Sequence, residues 1–180
     1  MKQSKTIRIA VTGPESTGKS TLAAALAKQF DTVWVPEFAR TYIETLNRDY
    51  NYNDILQIAK GQLLAEDTVS QSQKLVFADT ELLVTKIWCE VKYNRCHSWI
   101  LDEIGKRKYD LVLLCNIDLP WQSDPQREHP DKREMLMDLY RCQSLLYYSN
   151  VIEVSGMGEN RIENAIEIVK QFLKECGSDY

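Results

Sequence analysis

Five short apolar runs recur along the chain, separated by longer stretches in which apolar residues return at three- and four-residue steps. That alternation predicts an α/β protein with a parallel sheet covered by helices on both faces. Ile7 to Val11 form the first predicted strand, and a helix runs from about Lys19 to Phe30. Val33-Trp34-Val35, closed by Pro36, make a second strand, and a helix from about Phe38 to Leu46 follows. A polar, tyrosine-rich connection (Asn47 to Asn53) leads to Asp54, expected to cap a helix that extends to about Val69. Leu75 to Ala78 form the third strand, with a helix from about Glu81 to Tyr93, and Leu111 to Cys115 and Val151 to Val154 form the fourth and fifth.

The last helix has the clearest period. Ile162, Ala165, Ile166, Val169, Phe172, Leu173 and Cys176 share one face, and Arg161, Glu163, Glu167, Lys170 and Lys174 are expected in solvent. Repeats, low-complexity segments and linkers are absent, so residues 1–180 read as one domain. Asp118 to Arg133, rich in Pro, Asp, Gln and basic residues, reads as a long mobile excursion.

Composition narrows the function classes. With 44% apolar and 27% charged residues and a net charge of −4, the chain is globular and carries no global basic field for nucleic acid or anionic membrane. An anionic ligand must therefore be bound locally. No apolar stretch approaches a membrane span or a signal segment, so a cytoplasmic location is expected. Five scattered cysteines without a C-x-x-C pair argue against a zinc site or a disulfide framework.

Local anion binding is written at Gly13 to Ser20, G-P-E-S-T-G-K-S, between the first strand and the first helix. Gly13 and Gly18 let the backbone curl so that N–H groups point inward, and the helix N-terminus adds a positive dipole end. This is a phosphate-binding loop, and it predicts a nucleoside triphosphate held by Gly13, Glu15, Ser16, Thr17, Gly18, Lys19, Ser20 and Thr21. Lys19 would reach the outer phosphates, and the Ser20 hydroxyl would hold Mg2+. The P-loop fold has strand order 2-3-1-4-5.

Ligands of open parallel sheets collect at the carboxyl ends of the strands. Asp79, after the third strand, is the expected partner acid for Mg2+, and it can equally cap the next helix. Glu37, after the second strand, would face the terminal phosphate and is the candidate base. Arg40, one turn on, can grip substrate or phosphate, or form a surface ion pair. After the fourth strand the 118–133 excursion carries Arg127 and Arg133, candidates to close over the phosphates as a lid and exclude water; the alternative is an ordinary solvated loop, with His129 given no role. Ser155 and Gly156, after the fifth strand, are candidates for adenine contacts or a plain turn.

With these segments in place, the chain resembles the ribosylnicotinamide kinase domain of bacterial NadR-type NAD-biosynthesis proteins. The match covers nearly the whole chain: G-P-E-S-T-G-K-S-T-L, V-P-E-F-A-R at 35 to 40, F-A-D-T-E at 77 to 81, and Y-D-L-V-L-L, D-L-P-W and D-P-Q-R between 109 and 127. The resemblance implies ATP-dependent phosphorylation of the 5′-hydroxyl of nicotinamide riboside, with ATP and Mg2+ as cofactors. Those proteins also carry an adenylyltransferase and a repressor part. Neither His97 nor His129 stands in an H-x-G-H motif, so neither part is expected in this chain.

A pyridinium nucleoside should be held by carboxylates and aromatic faces. The candidates are Asp118, Trp121 and Asp124 in the excursion and Trp88 and Tyr93 on the helix after Asp79. Trp121 has no helix face to bury it, whereas Trp88 can also be core. Two other readings stay open. One is a kinase for another nucleoside or small metabolite. The other is a nucleotide-switched regulatory NTPase, for which Asn116-Ile117-Asp118 lacks the lysine of a guanine-reading motif and Asp79-Thr80-Glu81 lacks the switch glycine.

Overall fold

The computed structural model describes residues 6–177. The strands β1 (Ile7–Thr12), β2 (Val33–Val35), β3 (Leu75–Asp79), β4 (Leu111–Cys115) and β5 (Val151–Val154) form one sheet in the order β2-β3-β1-β4-β5. All pairings are parallel, with Ala10 opposite Ala78 and Val112. The helices are α1 (Lys19–Gln29), α2 (Phe38–Glu44), α3 (Tyr52–Ser70), α4 (Leu82–Tyr93), α5 (Ser98–Lys106), α6 (Arg133–Tyr147) and α7 (Glu159–Glu175). The predicted α/β architecture and strand order hold.

Alternation along the central strands divides the core in two. Ile9, Val11, Leu111, Leu113 and Cys115 meet α1 and α7 on one face. Ala10, Ala78, Val112 and Leu114 face α3, α4, α5 and α6 on the other. The small Ala10 and Ala78 lie at the centre of this second, four-helix face.

Several boundaries differ from the sequence reading. Asn51, not Asp54, caps α3: its side chain accepts the Asn53 N–H at 2.9 Å, and the Asp54 carboxylate returns to the Asn51 N–H at 2.7 Å, the reciprocal capping box. Glu81, not Asp79, caps α4, accepting the Leu83 N–H. Helices α5 and α6 went unpredicted, although α6 packs Leu136, Met137 and Tyr140 into the core. Arg161, expected in solvent, is buried, whereas Cys176 is exposed.

Candidate active site

The loop from Gly13 to Gly18 has the shape its glycines foretold. Gly13 has φ +131°, and a Cβ there would stand 2.8 Å from the Cys115 carbonyl oxygen, so only glycine fits against the end of β4. Gly18, at φ +74°, turns the chain into α1. The Lys19 ammonium donates to the Pro14 carbonyl at 2.8 Å, and the Thr17 hydroxyl donates to the same oxygen at 2.8 Å. The two donors fold the loop back on itself.

The carboxyl ends of β2 and β3 are fastened together beside it. Gln62 on α3 accepts the Phe38 N–H at 2.9 Å and reaches the Asp79 carbonyl at 3.4 Å. Gly61 makes this approach possible, because a Cβ there would fall 2.1 Å from the Phe38 ring. Glu37, just before Phe38, is thereby held near Asp79. Thr80 adopts φ +70°, an uncommon conformation for a β-branched residue, immediately after Asp79.

Asp79 is buried, and its Oδ1 has no hydrogen-bond partner. Burial pushes its carboxyl above the ordinary value, against the Ser20 hydroxyl and the Lys19 ammonium, which pull it down. Burial likewise raises Glu37, opposed first by Lys19; the Asp79 charge raises it further, while Arg40 and Arg127 lower it. Two carboxyls and three cations thus share one field. The orphaned Asp79 oxygen and the Ser20 hydroxyl fit a Mg2+ ion, a cation that takes few protein ligands and completes its shell with phosphate and water. No cluster of three metal-ligating side chains occurs among the described residues.

A cavity of about 760 Å3 opens between the phosphate-binding loop and α4. Lys19, Ser20, Glu37, Arg40 and Arg127 line its polar end, and Val84, Ile87, Trp88, Leu136 and Tyr140 its apolar end. The 118–133 segment closes over this cavity by hydrogen bonds. Glu15 accepts the N–H groups of Glu128 and His129, each at 3.1 Å, and Ser16 Oγ accepts the Gln122 N–H at 2.8 Å and Arg127 at 3.3 Å. Arg133 donates to the carbonyls of Leu119 at 2.9 Å and Ser16 at 3.2 Å.

The remaining predicted site residues divide between the cavity and its surroundings. Asp124 pairs with Arg40 at 3.1 Å and accepts the Gln126 N–H. Trp121 does not line the cavity; it lies 6.0 Å from the Arg133 guanidinium. Trp88 does line it, donating its Nε1–H to the Tyr50 hydroxyl at 2.9 Å. Tyr93 packs edge-on against Tyr52. Asp118 faces Arg161 and the Gly156 N–H, while Ser155 accepts from Asn116 and Asn164.

Arg161 is the residue that the sequence hid. From the first turn of α7 it donates to the carbonyls of Thr17 at 3.0 Å, Asn116 at 2.9 Å and Gly156 at 3.0 Å as well as to Asp118. One guanidinium therefore joins the phosphate-binding loop to the ends of β4 and β5. Its four-residue steps to Ala165, Val169 and Leu173 place it on the buried face of α7, a signal that its charge concealed. Gly61 left a signal too, a glycine inside a helical pattern.

Sheet order, loop and cavity together define an α/β domain of P-loop kinase-like fold. The chain belongs to the AAA domain family, whose profile matches residues 8–161. It is 34% identical over 179 residues to the trifunctional NAD biosynthesis/regulator protein NadR of Escherichia coli strain K12, a match that covers 93% of this chain and 43% of that protein. The chain spans less than half the length of the curated relatives it matches. A NadR protein crystallised in complex with NR shares the fold with a TM-score of 0.79 at 22% identity, over 93% of this chain and 51% of that one. A deoxyadenosine kinase from M. mycoides shares it with a TM-score of 0.64 at 15% identity, over 92% of this chain and 100% of that one. Among the described residues no helix is long and apolar enough to cross a membrane.

Proposed function

We propose that the chain is an ATP-dependent kinase domain that phosphorylates the 5′-hydroxyl of nicotinamide riboside. The observation that carries this reading is the single cavity with Glu37, Lys19, Arg40 and Arg127 at one end and an aromatic and aliphatic wall at the other. A switch protein needs only the first end. A kinase needs both, because an acceptor must lie beside the donor phosphate. Resemblance to NadR selects the acceptor, and Asp118, which a guanine-reading motif would require, is engaged with Arg161 and Gly156.

In this reading the backbone N–H groups of residues 13–18 and the Lys19 ammonium bind the triphosphate. Lys19 exchanges the Pro14 carbonyl for phosphate oxygens. Ser20 and Asp79 would hold Mg2+, which would supply neutralisation of phosphate charge. Glu37 accepts the proton of the attacking hydroxyl as its oxygen bonds to the γ-phosphorus and the bridge to ADP breaks. Burial of Glu37 suits it to this task, since a base with a raised proton affinity removes a hydroxyl proton more readily. Arg127 and Arg40 stabilise charge on the transferring group, and the lid excludes water that would otherwise take the phosphoryl group. Trp88 contributes a face for the pyridinium ring.

A nucleoside panel tests the assignment. With ATP and Mg2+, nicotinamide riboside should be turned over well above adenosine, cytidine and deoxynucleosides. Equal turnover across the panel would remove the substrate assignment. Acceptor-independent GTP hydrolysis without transfer would remove the kinase.

A further inference from the structure

The tyrosine-rich connection before α3 takes no part in the chemistry described above, yet one of its side chains touches both the cavity wall and the lid. The Tyr50 hydroxyl accepts the Trp88 Nε1–H at 2.9 Å and donates to Glu128 Oε1 at 2.6 Å. The Tyr50 and Trp88 rings meet edge-on with centroids 4.8 Å apart, which fixes the indole in plane as well as in position. Lys92, one turn beyond Trp88 on α4, lies 4.0 Å from the centroid of the Tyr50 ring and pairs with Glu128 at 2.7 Å. Trp88 and Glu128 both line the cavity. Burial and the Glu128 charge push the Tyr50 hydroxyl well up, so it remains a neutral donor across the working pH range.

A phenol has one proton to give and accepts through its oxygen lone pairs. Here the proton goes to Glu128, and the lone pairs take the Trp88 N–H and the Lys92 ammonium, the latter at 2.5 Å. When the lid lifts, Glu128 leaves, the phenol proton loses its acceptor, and the reason for the hydroxyl to hold its rotation toward Trp88 weakens. Conversely, an occupant that reorients the indole withdraws a donor from the oxygen and loosens its grip on Glu128. The charge-assisted bond to Glu128 is stronger than the neutral one from Trp88, and Lys92, bound to both Tyr50 and Glu128, reinforces the lid side, which therefore dominates the coupling.

We propose that Tyr50 is a positioning residue that couples the acceptor end of the cavity to lid closure, so that the lid seats fully only over an acceptor that leaves the Trp88 indole in place. The proposal rests on the kinase reading for its acceptor, but the link between Tyr50 and Glu128 exists without it. Selectivity arises because an acceptor that tilts the indole meets an open lid, and an open lid admits water to the donor phosphate.

The test is Tyr50→Phe, which keeps the ring and its edge-on contact with Trp88 and removes the hydroxyl together with its bonds to Trp88, Glu128 and Lys92, while Lys92 still pairs with Glu128. Three readouts apply. In steady-state assays with ATP, Mg2+ and nicotinamide riboside, KM for the riboside should rise about 5- to 10-fold and KM for ATP should stay within twofold, in line with the loss of the Tyr50–Glu128 bond while Lys92 continues to hold Glu128. ATP hydrolysed per riboside phosphorylated should rise severalfold. In the free protein without nucleotide, tryptic cleavage within 118–133, which contains Arg127, Lys132 and Arg133, should accelerate at unchanged melting temperature. Glu128→Gln should move the same three readouts, and the double variant should be no worse than the more affected single one, because both remove one link. Unchanged lid proteolysis and an unchanged riboside KM in Tyr50→Phe would overturn the proposal, as would full additivity in the double variant. If the wild type phosphorylates no riboside while Tyr50→Phe still frees the lid, the kinase reading fails and the Tyr50 link stands.

Discussion

Glu66→Gln should make this protein more stable above neutral pH and change little in acid. Glu66 lies on α3 beneath the sheet, 1% exposed, with Oε2 accepting the Tyr109 hydroxyl at 2.7 Å and Oε1 unpartnered. Burial pushes its carboxyl from 4.5 up to about 7, an effect that Tyr109 and Arg107 only partly oppose. The folded protein therefore holds this proton at pH values where the unfolded chain has released it. Between pH 4.5 and about 7 folding takes up a proton, so stability falls as pH rises through that window and is level above it. The interval corresponds to about 3 kcal/mol. Glutamine keeps an oxygen for Tyr109 and cannot ionise. Urea unfolding of both proteins from pH 4.5 to 8.5 isolates the effect, because every other titrating group cancels in the difference. The variant's advantage should grow to about 3 kcal/mol by pH 8, roughly 6–12 °C in melting temperature for a chain of this size. A difference that stays flat across the range, or grows toward acid, would refute the reasoning.

Lys19→Ala should abolish phosphoryl transfer, and retained turnover would remove the loop's assigned role. Glu37→Gln should lower kcat by roughly 10² to 10⁴ with ATP affinity within a few fold; an equal loss of ATP binding, read by calorimetry, would make Glu37 part of the metal's surroundings instead of the base. Arg161→Leu should cost about 3 kcal/mol in urea unfolding, since it strands Asp118 and three carbonyls. It should also raise KM for ATP, because Thr17 loses its anchor.

The sheet was readable because each strand is an apolar run that parallel burial demands, and the loop because its glycines have no substitutes at φ +131° and +74°. Helix α6 was missed for a physical reason. Its apolar stripe is broken by exposed Leu145 and Leu146 and by a buried Ser144, so the period is blurred. Arg161 was expected in solvent, and its pairing with Asp118 was not foreseen. Charge outweighed spacing for Arg161, which is in step with buried Ala165, Val169 and Leu173, and the crossing of α7 over the ends of β4 and β5 is what pairs it with Asp118. Trp121 and Trp88 show the same limit. A loop tryptophan looks free and a helical one looks buried, yet the lid's hydrogen bonds carry the first away from the cavity and α4 turns the second toward it.

The lid is attached in two unlike ways. Toward the phosphate-binding loop, Glu15 and Ser16 hold main-chain N–H groups of residues 122, 128 and 129, which every amino acid except proline supplies, and the side chains of Arg127 and Arg133 add bonds to Ser16. Toward the aromatic end of the cavity, the attachment runs through the side chain of Glu128, bound to Tyr50 and Lys92. Lid substitutions that spare Arg127 and Arg133 can thus alter the aromatic end without loosening the hold on the phosphate-binding loop. A lineage, or an experimenter exchanging lid sequences, can explore new acceptors while the triphosphate end stays constant.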